Sequence, residues 1–305
     1  MSELAKRVLF AIVAAPIALW VVLVGGAPLA ALLAMVSAIG AWEFFRIARE
    51  TGARPLDDVG IALAGLLPLA IHGHYLGVFR VNPAMVAVVM LIVMAATIWS
   101  RGVAGGPLSA AATTLLGVVY TAGMLGFGYA IRYHDIVRGY DTVAGAHLGL
   151  GAFSVAVAPG GVLLIFPLLL TWASDIGAYF LGRAIGGPKL IPSVSPGKTI
   201  AGAVGGLLMA VGMSFAYTLY VLKTVAEVTM TTGGIVMFGV IIAVAAQVGD
   251  LFESLLKREA KVKDSSHIIP GHGGVLDRLD SLFFVLPVAY LLLPHLLVVS
   301  PLASQ

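Results

Sequence analysis

The sequence predicts an all-α fold: a polytopic integral membrane helical bundle of about nine transmembrane helices with a cytoplasmic N-terminus. Three observations carry this expectation. The 305 residues are 60% hydrophobic and 11% charged, with a mean hydropathy of +1.02, whereas soluble domains are about 25% charged. Lipid must therefore solvate much of the exterior. Apolar stretches close to the ~20 residues that span a bilayer core recur along the chain. The basic residues also segregate between alternate loops, as positive-inside orientation requires.

The same numbers exclude several function classes. A disordered chain, a nucleic-acid-binding domain and a soluble dehydrogenase-type fold are incompatible with so apolar a composition. A net charge of +3 and a pI near 9.2 reflect basic cytoplasmic loops and give no reason to expect a nucleic-acid partner. The chain has no cysteine, so disulfides, thiolate nucleophiles and zinc–thiolate sites are ruled out.

The expected spans run over 8–24, 28–45, 59–79, 83–99, 110–131, 161–182, 200–222, 233–256 and 281–299. The first is too long for the apolar core of a cleavable signal peptide, and a second apolar segment follows at once, so it is expected to remain as a span. His72, His74 and Arg80 crowd the junction of the third and fourth. With the N-terminus inside, the cytoplasmic side receives Lys6, Arg7, Arg46, Arg49, Arg54, Arg101, Arg183, Lys189, Lys198, Lys257, Arg258, Lys261, Lys263 and Arg278. The far side receives Arg80, Arg132, Arg138 and Lys223, a division of 14 against 4. Nine spans place the C-terminus outside. The expected organisation is N-terminal helices over 1–131, an outer loop over 132–160 without assigned chemistry, and a catalytic membrane region over 161–305 with cytoplasmic loops 183–199 and 257–280. The pairs Gly202/Gly206 and Gly73/Gly77 read as close helix-packing positions.

Charge is densest between residues 250 and 280. Asp175 lies inside a span, in T-W-A-S-D-I-G-A-Y-F. Asp250 and Glu253 close another, in Q-V-G-D-L-F-E-S-L-L-K-R. A carboxylate within a span costs several kcal/mol unless it is paired or faces water, so Asp175 and Asp250 read as functional. Glu43, with Arg46 and Arg49 nearby, reads instead as half of a structural ion pair. Asp250, Glu253 and Lys257 follow i, i+3, i+7 spacing and share one helix face.

The stretch after them is the most polar in the chain: K-R-E-A-K-V-K-D-S-S-H-I-I-P-G-H-G-G-V-L-D-R-L-D-S. Its glycines allow close backbone approach and offer N–H groups to an anion. Asp277 and Asp280 are hard oxygen ligands suited to Mg²⁺ together with substrate phosphates. Lys257, Arg258, Lys263 and Arg278 neutralise phosphate oxygens. His272, between glycines, either touches substrate or is a plain loop residue. The loop 183–199 contains Gly-Lys-Thr but no phosphate-binding loop, because Pro192 stands where the first glycine is required. Ser195 and Lys198 precede a span, where a helix N-terminus attracts anions. Ser195 contacts phosphate or caps the helix; Lys198 contacts phosphate or anchors at the interface.

The run Ser254 to Asp280 resembles the signature of the phosphatidate cytidylyltransferase (CDP-diacylglycerol synthase) family. The matching positions are Ser254, Lys257, Arg258, Lys263, Asp264, Pro270, His272, Gly273, Gly274, Asp277, Arg278 and Asp280. The blocks S-D-I-G-A-Y-F-L-G-R and P-S-V-S-P-G-K-T are also similar to that family, and the firm resemblance covers about 172–281. Four positions depart from it: Ile176 replaces Ser or Thr, Ile200-Ala201 replace an aromatic and Glu or Gln, and Ser266 stands where Gly is common.

The resemblance implies an enzyme at the cytoplasmic face of a bacterial inner membrane. It would convert CTP and phosphatidate to CDP-diacylglycerol and pyrophosphate. Mg²⁺ would be bound by Asp250 and Asp277 with Asp280 or Asp175, and a second cation could take part. Lys198, Lys257, Arg258, Lys263 and Arg278 would neutralise phosphate charge, while Asp264 orients the basic cluster. A homodimer is implied by the resemblance alone.

Overall fold

The computed structural model describes residues 3–137, 159–269, 271 and 273–299. Most of the expected outer loop, 138–158, and His272 lie outside the described residues. Helices dominate: α1 (Glu3–Val24), α2 (Gly26–Glu50), α3 (Asp57–Tyr75), α4 (Pro83–Arg101), α5 (Pro107–Val118), α6 (Met124–Arg132), α7 (Pro159–Ile185), α8 (Ile200–Tyr217), α9 (Lys223–Val225), α10 (Thr232–Glu259), α11 (Leu276–Leu279) and α12 (Leu282–Leu296). Each expected span overlaps a helix, although among the described residues α3 is not one of the helices long and apolar enough to cross a membrane. Among the described residues seven stretches are long and apolar enough to cross a membrane, joined by a shorter apolar helix at Ile12–Val24. The fifth expected span is α5 and α6 joined through a π-helical turn at Val119–Gly123. The protein is an all-α polytopic membrane protein. On α4, Leu91, Ile98 and Trp99 are exposed, Trp99 by 82%, as side chains solvated by lipid are.

Local chemistry sets the helix ends. Asn82 Oδ1 accepts from Ala84 N at 2.9 Å ahead of Pro83, a side-chain cap with proline in the first turn. Thr231 Oγ1 caps α10 by accepting from Gly234 N at 3.1 Å. At the other end of α10, Lys261 adopts φ +57°, and the bonds Val262 N to Lys257 O and Lys261 N to Arg258 O close a Schellman motif. The helix therefore stops where the polar stretch begins.

The backbone contacts divide the chain into two units. The first comprises Met1–Val21, Gly26–Tyr129 and Leu256–Leu279. Its interior is built on Phe45, fully buried, with Phe44 edge-on at 5.9 Å and Tyr120 beyond at 5.8 Å from Phe44. Gly60 of α3 and Gly117 of α5 lie against the Phe45 ring, where a Cβ would overlap it. The start of α3 is held by Thr114 Oγ1, which accepts from Leu56 N at 2.8 Å. The pair Gly73/Gly77 is not a packing pair: Gly73 faces Phe79, and Gly77 sits past the end of α3 at φ +77°.

The second unit comprises Val22–Gly25, Ala130–Leu255 and Asp280–Gln305. Here α7 and α8 pack backbone to backbone. A Cβ at Gly177 would stand 2.4 Å from Gly205 O, and one at Gly202 would stand 2.8 Å from Ala178 O. Gly206 fits beside Ser174 in the same way, so the Gly202/Gly206 reading holds. Phe166 stacks on Tyr217 at 5.0 Å and on Phe238 at 4.7 Å. Gly177→Ala should destabilise the protein by about 1–3 kcal/mol through overpacking. A thermal unfolding midpoint of the detergent-solubilised variant equal to the parent's would contradict this.

Arg132 does not lie in a loop. It ends α6, is fully buried, and donates to Val22 O and Leu23 O at 3.1 and 2.9 Å, satisfying the carbonyls that terminate α1. Within the expected loop 183–199, residues 183–185 finish α7 and 189–199 form a small antiparallel hairpin, β1 (Lys189–Ile191) with β2 (Ser195–Thr199). Helix α12 ends at Leu296, and Leu297–Val299 (β4) pairs with Val228–Met230 (β3).

Candidate active site

In the second unit the sequence places four charged side chains on four elements: Asp175 in mid-α7, Lys198 in β2, Asp250 late in α10, and Asp280 just before α12. Lys198 Nζ lies 2.5 Å from Asp250 Oδ2, with both side chains about a quarter to a third exposed. Ser254 Oγ donates to Asp250 Oδ1 at 3.3 Å, one helical turn on. Ser281 N donates to Asp280 Oδ1 at 2.6 Å. Asp175, Asp250 and Asp280 are close enough to repel one another electrostatically, and Lys198 is close enough to attract Asp175.

A cavity of about 490 Å³ opens among Asp175, Tyr179, Arg183, Lys198, Thr199, Gln247 and Asp250. Its floor is shaped by the close approach of α7 and α8 at Gly182 and Gly202. Thr199, not Ser195, caps α8: its Oγ1 accepts from Gly202 N at 3.0 Å. Ser195 is half-buried in β2 opposite Ile191 and is not among the cavity's lining residues.

Tyr179 and Arg183 were not anticipated, although they follow Asp175 at i+4 and i+8 and so share its helix face. Tyr179 Oη accepts from Arg183 at 3.1 Å. Gln247 was also missed, one turn before Asp250. Ile176 is exposed, and neither it nor Ala201 lines the cavity.

The donor set fits a hard divalent cation. Three mutually repelling carboxylates with one lysine leave a negative excess that such an ion offsets. Among the described residues no group of three His, Cys, Asp or Glu converges tightly enough to hold a metal alone. An ion here would complete its shell with phosphate oxygens and water, as Mg²⁺ commonly does.

The first unit contains a second polar cluster, built on the stretch after α10. Asp277 is its centre. Lys257 Nζ lies 2.7 Å from Asp277 Oδ1, the two side chains being 14% and 5% exposed. Asp277 Oδ2 accepts from Ser265 N (2.9 Å), Ser265 Oγ (2.9 Å) and Gly274 N (2.8 Å). Glu43 of α2 is fully buried beside it. Its carboxylate accepts from Ser265 Oγ (2.9 Å), Ser266 Oγ (2.5 Å), Val275 N (3.0 Å) and Leu276 N (2.6 Å). The expected pairing of Glu43 with Arg46 or Arg49 is therefore replaced. Arg49 pairs with Asp57, and Arg46 donates to Ser265 O at 3.4 Å. The donors of the folded stretch reach Glu43 because α2 carries it inward on its buried face.

The glycines of this stretch have a steric reason. A Cβ at Gly274 would stand 2.1 Å from Ser265 Oγ and 2.4 Å from Glu43 Oε1. Gly273 has φ +80°, and a Cβ there would stand 2.6 Å from Asp277 Oδ2. Of the glycine N–H groups expected to face a bound anion, that of Gly274 thus serves Asp277 instead. Arg258, Lys263 and Arg278 are exposed, and Asp264 is half-buried. Asp250 and Asp277, expected to share an ion, belong to different units, each with its own partners.

The sequence profile of the cytidylyltransferase family matches residues 5–296. The chain belongs to that family. This cytidylyltransferase is 28% identical over 304 residues to a phosphatidate cytidylyltransferase of Bacillus subtilis, covering 96% of this chain and 98% of the relative. It is 32% identical over 309 residues to one of Synechocystis, covering 95% and 98%. A third, from Haemophilus influenzae, is 48% identical over 128 residues, covering 42% of this chain and 44% of the relative. The chain is a membrane-embedded nucleotidyltransferase.

Proposed function

We propose that this cytidylyltransferase joins CTP to phosphatidate, forming CDP-diacylglycerol and pyrophosphate, at the cytoplasmic face of a bacterial inner membrane. The observation that carries the reading is the cavity where Asp175 of mid-α7, Lys198 of β2 and Asp250 near the end of α10 meet beside apolar helices. Such a place is reached by a soluble nucleotide and by a lipid headgroup alike. The near end-to-end similarity to two phosphatidate cytidylyltransferases supports it.

A phosphate oxygen of the lipid attacks the α-phosphorus of CTP. The bond from that phosphorus to the bridging oxygen of the β-phosphate breaks, and pyrophosphate leaves with the electron pair. A phosphate monoester is nucleophilic at neutral pH, so no strong general base is required. The protein's contribution is positioning and charge neutralisation. Lys198 and Arg183 hold phosphate oxygens in the cavity, and Gly197, with open space around it, lets a phosphate approach the backbone. Lys257, Arg258, Lys263 and Arg278 supply further positive charge for phosphorylated reactants, and Asp264 orients them. His272 is kept as a substrate contact, and Ser195, which does not line the cavity, is not.

Mg²⁺ would be held by Asp250 with Asp175 or Asp280, while Asp277 stays paired with Lys257 in its own cluster. Bound there, Mg²⁺ supplies electrostatic stabilisation of charge on the phosphates, and a second cation is accommodated in the same scheme. A homodimer completes the proposal.

The test is formation of CDP-diacylglycerol by the purified chain from CTP, phosphatidate and Mg²⁺, with loss of product on chelation. Product with a polyprenol acceptor, and none with phosphatidate, would overturn the reading.

A further inference from the structure

We infer that Glu43 is a positioning residue for the reaction: its buried carboxylate clamps the polar stretch 265–276 and thereby sets the geometry of Asp277 and Lys257. This rests on the reading that Asp277 and Lys257 handle phosphorylated reactants.

The carboxylate is fully buried and comes from α2, more than two hundred residues from its partners in sequence. A buried carboxylate is tolerated only when hydrogen-bonded. Glu43 meets that condition with four contacts, and all of them are to one stretch: two serine hydroxyls and the amides of Val275 and Leu276. These amides immediately precede Asp277. A helix of the N-terminal half thus fixes the backbone that presents Asp277.

The coupling is direct at Ser265. Its hydroxyl lies 2.9 Å from Glu43 Oε2 and 2.9 Å from Asp277 Oδ2. A hydroxyl has one proton to donate, so the state of one carboxylate bears on the bond to the other. Gly274 admits the arrangement because any side chain there would overlap both Ser265 Oγ and Glu43. Ser266, a departure from the family pattern, adds a fourth donor to the same carboxylate. Glu43 touches no reactant in this account; it acts through Ser265 and Asp277.

The experiment uses the full chain with Glu43→Gln, and Ser265→Ala as a milder second variant. Glutamine keeps the shape but turns one oxygen into a donor facing donors. Two readouts are taken. The first is kcat and KM for CTP, normalised to monodisperse folded protein. The second is the rate at which a water-soluble maleimide modifies a single cysteine introduced by Val275→Cys, in the parent and in each variant. The chain has no native cysteine, so the label is specific.

Glu43→Gln is expected to lower kcat about 100-fold, as misplacement of catalytic groups does, with a smaller change in KM. It should also raise the labelling rate about 10-fold or more through local opening. Ser265→Ala should move both readouts in the same direction by less. Faster labelling with unchanged kcat would make the clamp purely structural and overturn the inference. Reduced kcat with unchanged labelling in both variants would also overturn it. Failure of the functional reading shows differently, as absence of CDP-diacylglycerol in the parent itself, while the labelling comparison still reports on the clamp.

Discussion

Asp250→Asn is expected to lower kcat by about 10²–10³-fold, the range seen when one preorganised electrostatic group is removed, while leaving the protein folded in the membrane. The argument begins with the pair it forms. Asp250 and Lys198 are each about a quarter to a third exposed, and pairs so open to solvent contribute little to stability. The thermal unfolding midpoint should therefore shift little. The carboxylate is instead one of three that repel one another beside the cavity. Neutralising it weakens the proposed cation site and is expected to shift the half-maximal Mg²⁺ concentration upward. Lys198→Ala serves as its companion. It should raise KM for CTP or lower turnover; a loss confined to the amount of protein in the membrane would make Lys198 an interfacial anchor. Turnover of Asp250→Asn within about 3-fold of the parent, less than a kcal/mol, would remove Asp250 from the metal and phosphate assignment.

Asp277→Asn is expected to damage both stability and activity. Its partner Lys257 is 14% exposed and Asp277 only 5%. Removing one member of a buried pair leaves an uncompensated charge, at a cost of about 3–5 kcal/mol. Three further donors, Ser265 N, Ser265 Oγ and Gly274 N, would lose part of their acceptor. The double variant Lys257→Met/Asp277→Asn separates the two effects. It should recover much of the unfolding midpoint, since no charge is left unpaired. Its turnover should remain about 100-fold or more below the parent's, since both groups proposed to handle phosphate are gone. Recovery of turnover along with stability would reduce the pair to a structural role.

The site residues read from the sequence rest on local properties. Asp175 and Asp250 stood out because an ionisable group within a span is costly, and both line the same cavity. Lys198 stood out from its place before an apolar helix. Tyr179 and Arg183 were within reach of the same logic, since they share the face of Asp175, yet their types are common near a membrane surface. Glu43 was misjudged because near sequence neighbours, Arg46 and Arg49, offered an obvious partner. Its true partners lie more than two hundred residues away, and no periodicity announces them. In the glycine-rich stretch the glycine amides are expected to face an anion, whereas Gly274 N faces Asp277, and the amides of Val275 and Leu276 face Glu43.

By itself the sequence determined the membrane environment, the position of each apolar helix and the residue types available for phosphate and cation chemistry. Hydrophobic burial and charge cost depend on composition within a short window, so they are legible without a fold. The tertiary structure alone decided which carboxylates have protein donors and which open to a cavity. It also decided why Gly274 cannot carry a side chain, and that residues 189–199 form a hairpin. Those outcomes depend on groups brought together from distant parts of the chain, and hydrogen bonds and steric contacts act over only a few ångströms.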